Sequence, residues 1–351
     1  MTSGAGPRAG KTRSDGHRSS DVGRTAGARR RDGFRERSLA ATPAEPLKTG
    51  DRRVPRPTFG SYYGRPVLHE PTWSARDIAS YLFLGGLAGA SSLLGAGAHA
   101  TGRPDLARGA KLGAAGAIGL GLAALVHDLG RPARFTNMLR VLKPTSPMSV
   151  GSWLLAGYAP AAIAAALSDA TGRLPRTGAL ATAAAAVTGP GVAAYTAVLV
   201  ADTAVPAWHD GYREMPFVFA GSAAAAAGGL GMAAAPPGQA GPARRAALLG
   251  AATELAATQV MHRRLGFVAE PYRRGTGGRL MRAARVLTIA GAIGTATVAR
   301  RGRAGAVLSG LALLAGSAAT RFGVFHAGVE STKDPKYVVR PQRERLSAQR
   351  A

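Results

Sequence analysis

The sequence predicts an all-α integral membrane protein: eight transmembrane helices preceded by a disordered basic N-terminal tail. Three observations carry this. Four stretches lack Asp, Glu, Lys and Arg altogether: residues 78–102, 144–168 and 177–201, each of 25 residues, and 215–243, of 29. About 20 residues at 1.5 Å rise per residue cross a hydrocarbon core of about 30 Å, so each is long enough to span a bilayer. Four shorter or interrupted apolar stretches, 112–127, 246–262 (with Glu254 in its middle), 286–299 and 304–320, lie at the spacing needed to return the chain across. Residues 1–57, by contrast, carry fourteen Lys/Arg against six Asp/Glu, with Phe34 as the only aromatic. A chain average of 46% hydrophobic residues conceals these two materials, a solvated tail and a membrane domain.

Taken in order, the tail (1–57) cannot bury enough apolar surface to offset its chain entropy and is expected to be disordered. Its Arg/Ser/Ala/Gly composition is shared with organelle transit peptides, but nothing else in the chain supports an organelle. It has no apolar h-region, and no apolar stretch follows Arg30-Arg31 before Ile78, so neither a secretory nor a twin-arginine signal fits. A membrane domain is expected over 58–345, with helices near 77–101, 107–128, 148–168, 177–201, 215–235, 244–263, 281–299 and 304–326, and a C-terminal tail over 327–351. Its Ala/Gly richness suits helices that touch through small residues, because lipid supplies little hydrophobic drive between them. Gly85, Gly86 and Gly89, and Gly113, Gly116, Gly119 and Gly121, are such candidates. With the N-terminus inside, the inner loops hold twelve cations against ten in the outer loops, Lys111 being counted among the ten, and both cation-rich tails fall inside as well. The positive-inside rule then puts both termini in the cytoplasm, in a bacterial inner membrane, with the 128–153 connector on the same side. The basic tail beside a membrane is expected to touch anionic lipid and not nucleic acid.

The absence of Cys removes disulfides, iron–sulfur ligation and thiolate haem ligation from this chain. Of the seven His, none lies near the middle of an apolar stretch, where paired haem ligands would stand, so no haem is expected. The Gly-rich run 228–231 lies inside an apolar stretch and not between a strand and a helix, so it is no phosphate loop. Ionisable groups within or at the edge of the membrane are costly and point to function. Glu254 is the clearest, either a proton-relay carboxylate or one paired with a neighbouring helix. Asp77, Asp128 and Asp202 stand at inner helix ends beside Arg131 and Arg134. Tyr81 lies about one turn into the membrane, where a phenol needs a partner or a ligand. A quinone requires donors near its oxygens, apolar walls and a carboxylate to supply protons, and this corner offers all three.

The connector itself carries the most specific pattern: Asp128-Leu129-Gly130-Arg131-Pro132, then Arg134-Phe135, Asn137-Met138-Leu139-Arg140, and Pro144-Thr145-Ser146-Pro147-Met148-Ser149 before Gly151-Ser152-Trp153. With Tyr62-Tyr63-Gly64-Arg65-Pro66, Tyr81–Gly89, Tyr195-Thr196, Pro206-x-Trp208 and Arg321–Gly328, it resembles the NrfD family, the membrane subunits of polysulfide-reductase-like complexes. The resemblance covers roughly residues 60–345. It implies two four-helix bundles without haem, and a site for quinone or quinol (menaquinone or ubiquinone) near the start of the first helix. It also implies two partners: a four-cluster ferredoxin-like iron–sulfur subunit and a molybdopterin or formate-dehydrogenase-like catalytic subunit. A first-helix histidine of the family aligns here with Tyr81, a phenol in place of an imidazole. The resulting quinone-binding or proton-relay candidates are Asp77, Tyr81, Asp128, Arg131, Arg134, Ser149, Trp153 and Glu254. Two other functions stay open: a proton-conducting or transporter-like module, and a structural anchor without quinone chemistry.

Overall fold

The structure is a computed structural model that describes residues 67–131 and 133–350, Arg350 by its backbone alone. The basic tail, the Tyr62–Pro66 motif and Pro132 lie outside the described residues. All regular structure there is helical. Eight long helices follow in order: α1 Ala75–Ala100, α2 Pro104–Asp128, α3 Pro147–Thr171, α4 Pro175–Ala201, α5 Met215–Ala234, α6 Gly241–Leu265, α7 Gly275–Ala296 and α8 Arg303–Lys333. A ninth, α9 (Lys336–Arg350), follows α8. Six of these, α1 to α5 and α8, are long and apolar enough to cross a membrane. The other two expected spans, α6 and α7, also form long helices, but the arginines near their ends and Glu254 in α6 hold them below that apolarity.

Helix ends follow local chemistry. Ser74 caps α1, its Oγ accepting from the Asp77 backbone N–H at 3.3 Å, and Ser146 caps α3 in the same way. Proline opens α2, α3 and α4 at the first helical turn, where its missing N–H goes unneeded. Gly102 and Gly172, both at positive φ, end α1 and α3 and let the chain double back at once. Helix α8 runs past the expected end at residue 326 to Lys333, and the expected tail of 327–351 is helical nearly throughout.

Packing is organised around α1, which touches α2, α4, α5 and α8. Within the first four helices the neighbours are α1–α2, α2–α3, α3–α4 and α4–α1; within the second four they are α5–α6, α6–α7, α7–α8 and α8–α5. The closest crossings are glycine on glycine. A Cβ on Gly89 would meet the Gly189 carbonyl oxygen at 2.2 Å, and one on Gly310 would meet that of Gly229 at 2.3 Å, so these backbones touch directly. Of the glycines expected to form contacts, Gly86, Gly113 and Gly121 face neighbouring helices, whereas Gly116 and Gly119 face open space. Leu180, Val187, Leu249, Leu308 and other large apolar side chains point outward, as on a surface that meets lipid. Lys111, counted above as a loop cation, is instead buried in α2, with its Nζ 2.8 Å from Asp169 of α3. An internal salt bridge holds that charge, so it is no guide to orientation.

Candidate functional site

The start of α1 and the end of α2 are stitched together by two contacts. Asp128 Oδ1 accepts the Ser74 backbone N–H at 3.0 Å, and His127 Nδ1 lies 3.1 Å from Asp77 Oδ2. Asp77 is thereby engaged by the exposed His127, while Asp128 satisfies one of the N–H groups that a helix start leaves without a partner.

Behind this junction is a small apolar cavity of about 100 Å³. Tyr81 and Asp128 both line it, along with Trp73, Ser152 and Tyr195 from three further segments. Tyr81 is 1% exposed, and its Oη is buried without a hydrogen-bond partner among the described residues. A buried hydroxyl in that state costs of the order of 1–3 kcal/mol, so it marks a place where a partner belongs. Met138 and Met148, partly exposed and unbranched, stand on the same lining and can yield to an incoming ring.

The other expected residues are placed differently. Arg131 is exposed and makes no ion pair with Asp128, and Arg134 donates to the Leu129 carbonyl oxygen at 3.0 Å. Both therefore shape the connector and do not line the cavity. Ser149 accepts the Lys143 N–H at 2.9 Å and donates to the Val141 carbonyl oxygen at 3.0 Å, which closes the loop before α3. Trp153 is 43% exposed and turned away, whereas the adjacent Ser152 is buried on the lining. Ser152 and Tyr195, both inside the sequence motifs, line the cavity, and nothing in their residue types alone marks them for it. What brings Tyr195 in is Gly151: a Cβ there would sit 2.1 Å from the tyrosine ring, so only glycine leaves the ring its seat.

Glu254 belongs to a different place. It is 3% exposed on α6, accepts the Thr320 hydroxyl of α8 at 2.5 Å, and lies 3.5 Å from the Thr288 hydroxyl of α7. Next to Thr320 stands Arg321, fully buried, which the sequence reading named only as part of a motif. Its Nη2 donates to the Phe219 carbonyl oxygen of α5 at 2.7 Å, its Nε donates to that of Leu82 in α1 at 3.2 Å, and its guanidinium lies 3.7 Å from the centre of the Phe219 ring. The charges of Arg321 and Glu254 act on one another without direct ion-pair contact. A buried tryptophan completes the centre. Trp208 donates from Nε1 to the Val324 carbonyl oxygen at 2.7 Å, stacks on Trp73 at 6.0 Å, and fills the space a Cβ on Gly328 would occupy. Through Trp73, motif residues from both ends of the chain thus reach the small cavity.

None of the curated proteins matches the chain. Residues 69–235 match the family model described as Polysulphide reductase, NrfD, a stretch that contains the α1–α2 junction, the connector, the small cavity and Trp208. Over this stretch the chain is similar to the NrfD family, the membrane subunits of polysulfide-reductase-like complexes.

Proposed function

We propose that this protein is the quinone- or quinol-reactive membrane subunit of a multisubunit redox complex, exchanging electrons between menaquinone or ubiquinone and an iron–sulfur partner subunit. The observation that carries this reading is the unpartnered Tyr81 hydroxyl in an apolar cavity that also holds a carboxylate, Asp128. A quinone ring needs apolar walls, a donor at one oxygen and a source of protons. Tyr81 supplies the donor, and Trp73, Leu82 and Leu155 supply walls. Asp128 holds the proton site, tied to Ser74 N–H through one oxygen and leaving the other free to face the ring or water. Tyr195 and Ser152 orient the ring from the α3–α4 side. The ferredoxin-like partner docks on the connector face, and a molybdopterin or formate-dehydrogenase-like subunit supplies or takes the electrons beyond it.

In this reading all eight long helices cross a bacterial inner membrane as two four-helix bundles, with both termini in the cytoplasm. Burial of Glu254 and the cyclic neighbour pattern of each set of four support the crossing of α6 and α7. Glu254 serves as a separate protonatable group, apart from the ring.

The test is quinone-linked turnover in the assembled complex. Tyr81→Phe removes the donor with the shape retained, and Asp128→Asn removes the proton site and keeps a hydrogen-bond acceptor for Ser74. Each is expected to lower turnover about 10²- to 10⁴-fold, the range of a positioned acid–base group. Normal assembly with unchanged turnover in both variants would move the quinone site elsewhere.

A further inference from the structure

A second cavity, of about 670 Å³, opens between α6 and α7 at the end of the helices where Asp128 also lies. Four arginines line it: Arg263, Arg273, Arg282 and Arg285. None of the four has a carboxylate within ion-pair distance among the described residues. Their sequence neighbours differ sharply, since Arg264 is bound to Glu214 and Arg274 to Glu270. All four are exposed at the cavity mouth, where Arg282 donates to the Arg273 carbonyl oxygen at 2.9 Å, and together they set up a positive field that an anion would neutralise. On the same lining His262 has a buried Nε2 without a hydrogen-bond partner among the described residues. Further along both helices the wall turns apolar with Leu255 and Ile289, and Ile289 is 37% exposed on the outer face of α7. Helices α6 and α7 touch far less than α5 and α6 or α7 and α8, so the cavity opens sideways between them.

We propose that this cavity binds the phosphate headgroup of an anionic phospholipid, with an acyl chain running out between α6 and α7. Charge at the membrane-edge end and apolar wall towards the bilayer interior are the two halves of a phospholipid, and basic pockets between helices select anionic headgroups. A free phosphate shares the headgroup chemistry but makes no use of Leu255 and Ile289. His262 Nε2 gains a phosphate oxygen as its partner, and two arginine forks satisfy the remaining oxygens. Glu254 at the deep end is kept from the headgroup by its bonds to Thr320 and Thr288. The inference rests on membrane placement and not on quinone chemistry.

The test uses the full-length chain in nanodiscs of mixed phosphatidylglycerol and phosphatidylcholine, followed by delipidation and native mass spectrometry. Wild-type protein is expected to retain phosphatidylglycerol in preference to phosphatidylcholine. Arg273→Gln with Arg285→Gln is expected to weaken that retention about thirtyfold, from the usual contribution of two cations near an anionic headgroup. The Arg273→Lys/Arg285→Lys pair keeps the charge and is expected to lose less. Arg300→Gln with Arg301→Gln, two exposed cations at the opposite helix ends, is expected to leave retention unchanged. Equal retention of the two lipids by wild-type protein overturns the proposal without any variant. Unchanged retention in a folded Gln pair overturns it as well. So does displacement of the lipid by millimolar inorganic phosphate, which would make this a site for a free anion.

Discussion

Replacing Arg321 with Met tests how a fully buried cation is held at the centre of this fold. The guanidinium makes two bonds to carbonyl oxygens, one on α1 and one on α5, and covers the Phe219 ring. Hydrogen bonds to a charged group contribute about 1.5–3 kcal/mol each and a desolvated cation–π contact about 2 kcal/mol. Against this stands the desolvation of the guanidinium, several kcal/mol, so removing the group together with its charge is close to neutral by those terms alone. Glu254 decides the sign. It is buried, its carboxyl group is held by hydroxyls such as those of Thr320 and Thr288, and Arg321, next to Thr320, is the buried cation whose charge acts on it. Breaking a contacting buried pair costs about 3–5 kcal/mol; with these two groups out of ion-pair contact the loss is smaller, about 1–3 kcal/mol of a total stability of about 5–15 kcal/mol. Arg321→Met is therefore expected to lower stability by that amount, measured as thermal and denaturant unfolding of the purified chain in mild detergent. Adding Glu254→Gln removes the stranded charge and still accepts the Thr320 hydroxyl, so the double variant is expected to recover most of the loss. Arg321→Lys keeps the charge without the fork and falls between. If the double variant loses as much as the two single variants added together, the two groups are independent and the reasoning fails.

Two further predictions follow from packing and from charge. Gly89→Ala puts a methyl group 2.2 Å from the Gly189 carbonyl oxygen, a backbone atom that cannot yield alone, so α1 and α4 must separate. The overpacking cost of about 1–3 kcal/mol exceeds the ~1 kcal/mol that alanine gains over glycine in a helix. Gly97→Ala, with nothing within 4 Å, is expected to stabilise instead, and unfolding shifts of the same sign in both variants would contradict the Gly89–Gly189 crossing. Arg264 grips Glu214 through Nε and Nη2, each 2.6 Å from a carboxylate oxygen, and this holds the Glu214 carboxyl below its ordinary range against the opposing effect of partial burial. A depressed folded-state pKa gives stabilisation that is complete above the unfolded value, near 4.3, and lost as pH falls through the folded value. The thermal midpoint is thus expected to drop on acidification below about pH 5, and Glu214→Gln to flatten that part of the profile; an unchanged acid limb in the variant would assign the drop to other carboxylates.

What the sequence determined by itself is the run of long helices, because an uncharged stretch of 25 residues has few other ways to satisfy its backbone in an apolar medium. Each expected span overlaps one observed helix, and the end signals at Ser74, Pro147 and Gly172 were there to be read. Glu254 stood out for the same reason, as a carboxylate with no nearby cation along its own helix. Which side of each helix faces which neighbour was not legible. These helices are apolar around most of their circumference, so no stripe marks the buried face, and rotation about the axis is fixed only when glycines such as Gly89 and Gly189 find each other. A rotation of one residue separates Ser152, on the cavity lining, from Trp153, which faces outward. The same cause brought Tyr81 and Asp128 to one cavity, whereas Arg131 and Arg134 lie beyond the end of α2, where Arg134 bonds to the Leu129 carbonyl oxygen. Arg321 was hidden more deeply: at the end of an apolar stretch an arginine reads as an interfacial cation. Only the tertiary structure carries α8 beyond it and supplies carbonyl oxygens from α1 and α5, 239 and 102 residues away in sequence, to hold the charge.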